Sequence, residues 1–256
     1  VEGTTAKVNA IKIDREMRNE VVKEVFAKSS RAYVPIEELK ERRIEEADAI
    51  GKNILIFVDK FAIRVHLMLF GAIHIYKVGD PLLKPEERVK LKIVGNEKKL
   101  VVYNAPIVEV DFADKLVRRL KESLGPDPLR EDWSRDEAIE RLRGMKGRKI
   151  GEVLLDQSVI AGIGNILRNE ILFRAGVHPE RRVDRLSEEE IERIVDIAKE
   201  LCEDFLELKL KREGLKPILY VYNRYSKPCR ICGNPIRFYI QEEVKRKTFV
   251  CERCQK

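Results

Sequence analysis

Pro228-Cys229-Arg230-Ile231-Cys232-Gly233 and Val250-Cys251-Glu252-Arg253-Cys254-Gln255 place two Cys-x-x-Cys knuckles in the last stretch of the chain, and only Cys202 lies outside them. Zinc takes four soft ligands in a tetrahedron, and two facing knuckles supply four thiolates without a hydrophobic core. The spacing therefore predicts a zinc ribbon holding one structural Zn2+ on Cys229, Cys232, Cys251 and Cys254. A closed four-thiolate shell leaves no position for substrate, so any chemistry must lie elsewhere. The same cysteines could instead form two disulfides. Against that reading, the chain shows no leader segment, no membrane-spanning run and an odd Cys202, which together read as cytoplasmic, where disulfides rarely persist.

Outward from the ribbon, a 256-residue chain that is 44% hydrophobic can bury a sizeable core, as one large or two modest domains. A net charge of +7 points to an anionic partner; charge alone does not separate nucleic acid from a membrane surface, and no membrane partner is expected. Gly125-Pro126-Asp127-Pro128 interrupts any regular element and separates strand-like from helix-like sequence. Before it, a helix is expected over residues 4–16, then strands at 53–58, 62–67, 73–76, 89–94 and 100–103, forming a β-sandwich. After it, Ser134 with Glu137 and Ser187 with Glu190 read as S-x-x-E capping boxes. From Ile191, apolar residues recur at helical spacing through Leu206 and make Cys202 a core thiol. The fold class is α+β and multidomain, with domains expected at 1–124, 125–218 and 219–256.

Ala161-Gly162-Ile163-Gly164-Asn165-Ile166-Leu167-Arg168-Asn169-Glu170 reads as tight turns leading into a helix. Glycines 162 and 164 permit positive φ and close backbone approach, and Asn165 opens the helix with its side chain and free amides facing outward, an anion site. Taken alone, a G-x-G-N turn is more often an ordinary helix connection.

Residues 149–180 resemble the helix-two-turns-helix element of the formamidopyrimidine-DNA glycosylase and endonuclease VIII family. Val221 to Ile236 and Arg246 to Gln255 follow that family's V-Y-x-R-x-x-x-P-C-x-x-C-G-x-x-I and R-x-T-F-x-C-x-x-C-Q segments. The resemblance covers essentially the full chain. It implies an N-terminal helix plus β-sandwich, a helical domain and a zinc ribbon, with DNA as partner. It assigns Asn165 to DNA binding and places Arg246 at a hairpin tip, where a guanidinium binds the phosphates flanking a damaged nucleotide.

The chain begins Val1-Glu2-Gly3, as a Nei-like branch of the family does, whereas most relatives begin with proline. Removal of an initiator methionine is expected to expose the Val1 amine. An α-amino group has a pKa of roughly 8 against about 10.4 for lysine, so its free-base fraction near neutrality is about 250-fold larger. The resemblance makes Val1 the nucleophile that forms a Schiff base, Glu2 the proton shuttle, and Lys52 a phosphate contact that assists base departure. A valine imine can lose its proton where a proline iminium cannot, so strand cleavage is expected to lag base excision.

His66-Leu67-Met68-Leu69-Phe70-Gly71 resembles the loop that fills the stack vacated by an extruded nucleotide, with Met68, Leu69 and Phe70 at the gap and His66 near a phosphate. Asn104-Ala105-Pro106-Ile107-Val108 offers no Arg-x-Phe wedge, and residues 206–219 are short for a lesion-covering loop. Thr4 and Thr5 stand where the family commonly has Pro-Glu, so a carboxylate often found there is missing. Together with Leu154-Leu155-Asp156-Gln157, the wedge and covering-loop departures favour the endonuclease VIII side: a bifunctional glycosylase and abasic-site lyase for oxidised pyrimidines, further-oxidised purines and abasic sites in duplex or single-stranded DNA, acting as a cytoplasmic monomer. The competing readings are a non-catalytic zinc-ribbon protein that binds damaged DNA, and a lyase with little glycosylase activity.

Overall fold

The computed structural model describes residues 1–28 and 31–256. The chain divides into two compact units, Val1 with Gly3–Ser123 and Glu2 with Leu124–Lys256.

The first unit opens with helix α1 (Gly3–Met17), followed by strands β1 (Glu24–Ala27), β2 (Arg31–Ala32), β3 (Ile44–Ile50), β4 (Asn53–Val58), β5 (Phe61–His66), β6 (Ala72–Lys77), β7 (Val89–Val94), β8 (Lys98–Tyr103) and β9 (Ile107–Phe112), and ends with helix α2 (Ala113–Ser123). The strands form two sheets, ordered β1-β7-β8-β6 and β2-β9-β5-β4-β3. Their facing apolar residues, among them Ile54, Ile56, Ile63, Val65, Leu91 and Val102, share one core with Ile13 and Met17 of α1. This is the expected helix and β-sandwich, with the five foreseen strands at nearly their expected bounds.

Strands β1, β2, β3 and β9 and helix α2 escaped the pattern. Ile44-Glu45-Glu46-Ala47-Asp48-Ala49-Ile50 lacks apolar alternation, yet β3 pairs with β4 at the sheet edge. Helix α1 supplies its polar partners: Lys7 Nζ lies 2.6 Å from Asp48 Oδ1, and the Ala47 amide donates to Asp14 Oδ1 at 2.9 Å. β9 carries Glu109, fully buried, and Asp111. Arg119 on α2 satisfies both, at 2.7 Å each, and Arg64 on β5 adds a second contact to Glu109 at 3.0 Å. A buried carboxylate is tolerable only with such partners, and sequence periodicity does not reveal them.

The second unit contains α3 (Arg135–Arg143), α4 (Ile150–Val153), α5 (Asn165–Ala175), α6 (Glu188–Leu210) and the hairpin β10 (Arg237–Gln241) with β11 (Arg246–Val250). The Ser187 box is complete: the Glu190 amide donates to Ser187 Oγ at 3.2 Å and the Ser187 amide to Glu190 Oε2 at 2.9 Å. The Ser134 box is half formed. Its hydroxyl accepts the Glu137 amide, but the Glu137 carboxylate is held by Arg141 one turn on, at 2.9 Å. Ile194, Val195, Ala198, Leu201, Cys202 and Phe205 of α6 pack into one core with Leu167 and Ile171 of α5. Burial pushes the Cys202 thiol up, in keeping with an inert core position.

Candidate active site and nucleic-acid interface

In the first unit, β4 and β5 pair with Asn53 opposite His66, so Lys52, in the turn just before β4, and His66 lie at the same end of the sheet. The loop after β5 closes on itself. The Gly71 amide donates to Leu67 O at 2.9 Å, and a Cβ on Gly71 would lie 2.6 Å from that backbone oxygen, so glycine is required there. Met68 adopts φ 49°, and its amide donates to His66 Nδ1 at 3.1 Å. Leu67 is buried, whereas Met68, Leu69 and Phe70 are 46%, 66% and 80% exposed. None of these three apolar residues belongs to the core of this unit. The Val1 amine donates to Met68 O at 3.1 Å, which ties the chain's first residue to that tip.

Burial, followed by the charges of Arg64, Lys52 and the N-terminal amine, lowers the His66 pKa to about 4. The ring is therefore neutral near pH 7. With Nδ1 accepting from Met68, Nε2 carries the hydrogen and is a neutral donor. Arg64, Lys52 and the N-terminal amine thus make a cationic end of the sandwich around a neutral His66.

In the second unit, the turn before α5 departs from its expected form. Gly162 has φ +91°, but Gly164 is extended, with φ −113° and ψ −166°. Its role is the close approach alone: a Cβ there would sit 2.5 Å from Glu2 Cδ and 2.7 Å from Oε1. The helix-start amides expected to be free are taken. Glu2 accepts Gly164 N–H at 2.5 Å, Ile166 N–H at 2.8 Å and Leu167 N–H at 3.4 Å. The anion at this helix N-terminus is thus a carboxylate of the chain itself, placed where the amides and the helix dipole stabilise negative charge.

Asn165 is likewise engaged. Its Nδ2 donates to Lys247 O at 3.0 Å, and its Oδ1 accepts from Arg168 Nε at 3.1 Å. Arg168, fully buried, also donates to Gln241 Oε1 at 2.6 Å and Thr248 Oγ1 at 2.8 Å, while Asn169 Oδ1 accepts the Phe249 amide at 2.8 Å. Desolvation pulls the Arg168 guanidinium down to about 10, which leaves it charged at neutral pH. Helix α5 thereby grips both strands of the β10–β11 hairpin. At the hairpin's end Arg246 and Lys247 are exposed, and neither side chain forms an ion pair among the described residues.

Comparison with known proteins identifies this arrangement. Residues 124–214 match the formamidopyrimidine-DNA glycosylase H2TH domain. The formamidopyrimidine-DNA glycosylase of Oceanobacillus iheyensis is 33% identical over 226 residues, covering 80% of this chain and 77% of that protein. The chain belongs to the formamidopyrimidine-DNA glycosylase and endonuclease VIII family of DNA-repair enzymes. Endonuclease 8 1 of Mycobacterium tuberculosis is also 33% identical, over 237 residues and 85% of each chain. The glycosylase of Lactococcus lactis, solved non-covalently bound to DNA containing an abasic site, shares the fold at a TM-score of 0.88 over the whole of both chains, with 23% identity.

The family's C-terminal cysteine cluster is present. The Sγ atoms of Cys229, Cys232, Cys251 and Cys254 all lie within 4.8 Å of one another, with Cys229–Cys254 at 3.9 Å and Cys232–Cys251 at 3.5 Å. A tetrahedral ion with Zn–S bonds of about 2.3 Å needs sulfurs about 3.8 Å apart, whereas a disulfide needs about 2.0 Å. The donor set fits zinc. The Ile231 amide points at Cys229 Sγ at 3.4 Å, and Gln255 fastens the second knuckle by accepting the Cys251 amide at 2.9 Å and donating to Val177 O at 3.0 Å.

Four supporting residues were not singled out from sequence: Arg168, Asn169, Gln241 and Glu170. Glu170 is fully buried and accepts the amides of Tyr220, Val221 and Tyr222 at 2.8–2.9 Å, anchoring the segment that leads into the ribbon. The available signal was a run of polar residues inside an otherwise apolar helix; α5 buries Arg168, Asn169 and Glu170 consecutively. No helix among the described residues is long and apolar enough to cross a membrane.

Proposed function

We propose that this chain is a bifunctional DNA glycosylase and abasic-site lyase that removes oxidised bases, pyrimidines favoured, and then cleaves the strand. For this function the chain is divided as a catalytic domain over 1–124, a helix-two-turns-helix domain over 125–218 and a zinc ribbon over 219–256. It acts as a monomer in the cytoplasm. The observation that carries the reading is the hydrogen bond from the Val1 amine to Met68 O, because it joins a nucleophile to the tip of a loop that exposes Leu69 and Phe70.

The neutral Val1 amine attacks C1′ as the glycosidic bond breaks, and the departing base takes a proton. Opening of the sugar, with a proton delivered to its ring oxygen, gives an imine between Val1 and C1′. The imine draws electrons from C2′; loss of a C2′ proton expels the 3′ phosphate, and water then releases the enzyme. Glu2, held by three backbone amides, shuttles these protons. Lys52 and the Nε2–H of His66 contact the phosphate beside the lesion, and Met68, Leu69 and Phe70 fill the vacated stack.

Arg246 binds the flanking phosphates from the hairpin end, and Asn165 contributes from the start of α5. One structural zinc ion on Cys229, Cys232, Cys251 and Cys254 holds the knuckles that frame this hairpin. Borohydride trapping on DNA with one oxidised pyrimidine or one abasic site, with peptide mapping of the adduct, tests the reading. Attachment at Val1 from both substrates is expected. Attachment from the abasic site alone reduces the activity to a lyase, and attachment elsewhere removes Val1 as the nucleophile.

A further inference from the structure

The two faces of the β10–β11 hairpin differ sharply. Residues directly opposite in an antiparallel pair share a face. Tyr239, Gln241 and Thr248 occupy the inner one, where Gln241 and Thr248 receive Arg168. The outer one carries Phe238 opposite Phe249 and Ile240 opposite Lys247. Phe249 is buried beneath Phe238, with ring centroids 5.3 Å apart, and Tyr225 stands edge-on to Phe238 at 6.0 Å. Tyr225, Phe238 and Ile240 remain 62%, 36% and 43% exposed. An exposed strip of two aromatics and an isoleucine thus runs along the ribbon to Lys247 and the hairpin end.

Its surroundings are strongly cationic. Residues 219–256 contain nine Lys and Arg against three Glu, and Lys227, Arg237, Lys245, Arg246 and Lys247 are all exposed. Glu252 and Glu242 offset Arg237 and Lys245. Aromatic faces inside a basic field suit unpaired nucleic acid, because phosphates meet the cations while bases stack sequence-independently on the rings. A paired duplex keeps its base faces stacked and offers such a strip nothing to bind.

We propose that the outer face of the ribbon, Tyr225–Phe238–Ile240 with Lys247, is a stacking platform for single-stranded DNA. It rests on the proposed DNA-repair function and adds to it a site for the unpaired strand, distinct from the Arg246 contact with duplex phosphates. The strip is two side-chain positions long on β10, so it holds one or two bases.

Fluorescence anisotropy with an oligothymidylate of about 12 nucleotides, alongside an abasic-site duplex at the same salt, tests it. Tyr225→Ala is expected to weaken oligothymidylate binding about tenfold and duplex binding less than about twofold, with Tyr225→Trp restoring the first. Ile240→Ala, at a separate exposed position, is expected to act in the same direction. Unchanged oligothymidylate binding in Tyr225→Ala, or an equal loss on both DNAs, overturns the platform. So does wild-type self-association in sedimentation that Tyr225→Ala abolishes, since the strip then belongs to a second copy. Failure of the wild type to bind the abasic duplex defeats the DNA-repair reading itself; binding the duplex but not the oligothymidylate defeats only the platform.

Discussion

The carboxylate of Glu2 accepts the backbone N–H of Ile166 at 2.8 Å, so the second residue of the chain supplies the anion at the start of helix α5. Gly164 and Leu167 complete the cradle. Fixed amides and the helix dipole hold both carboxylate oxygens in place, as the proton shuttle proposed for Glu2 requires.

Gly164→Ala should disrupt that cradle. Its φ and ψ are ordinary for alanine, so the damage comes from the new methyl meeting the Glu2 carboxylate rather than from backbone strain. Overpacking of this kind costs about 1–3 kcal/mol, and displacement of a catalytic group by about 1 Å lowers turnover on the order of 100-fold. Thermal unfolding and single-turnover base release measure the two effects. A normal rate would detach Glu2 from catalysis.

His66 should titrate near pH 4, as read by NMR of labelled histidine. The folded pKa lies below the unfolded value of about 6.5, so the folded protein binds fewer protons between them. The stability contributed by this site is complete above about pH 6.5 and is lost as pH falls to about 4. Urea unfolding across that window should show a shallower pH slope in His66→Gln than in the wild type. Identical slopes would mean the imidazole is not held neutral.

A valine imine is a conditional electron sink, unlike a proline iminium. Base release should therefore outpace strand nicking, with the gap widening as pH rises and the imine loses its proton. Parallel time courses of base release and nicking measure it, and equal rates at every pH would show that imine protonation does not limit elimination.

Arg246→Ala should weaken duplex binding and reduce the slope of log affinity against log salt by about one unit, because the proposed phosphate contact is lost. Arg168→Ala acts differently. It removes donors to Gln241 and Thr248 inside the fold, so it should lower the unfolding temperature as well as affinity. An unchanged salt slope in Arg246→Ala would take its guanidinium off the phosphates.

Purified protein should contain one zinc per chain, and chelation should abolish hydrogen-exchange protection in β10 and β11 while leaving β4 and β5 protected. DNA affinity should fall with it. Full affinity in demonstrably zinc-free protein would separate the ribbon from DNA binding.

Cysteine spacing, the Pro/Gly break at 125–128, the apolar runs of β4 and β7 and the Ser187 box were legible in the chain because each is a local pattern: metal geometry, turn chemistry, side-chain alternation or a cap within one helical turn. What escaped depends on partners distant in sequence. β9 was hidden by Glu109 and Asp111, which Arg64 and Arg119 make tolerable inside a sheet. The glycine-asparagine turn advertised an anion site, and one exists, but its anion is Glu2, 162 residues from Gly164. Local pattern determined most of the elements and the cysteine cluster; tertiary structure decided which charges are paired, because burying a carboxylate or a guanidinium is affordable only where the fold brings its hydrogen-bond partners from elsewhere.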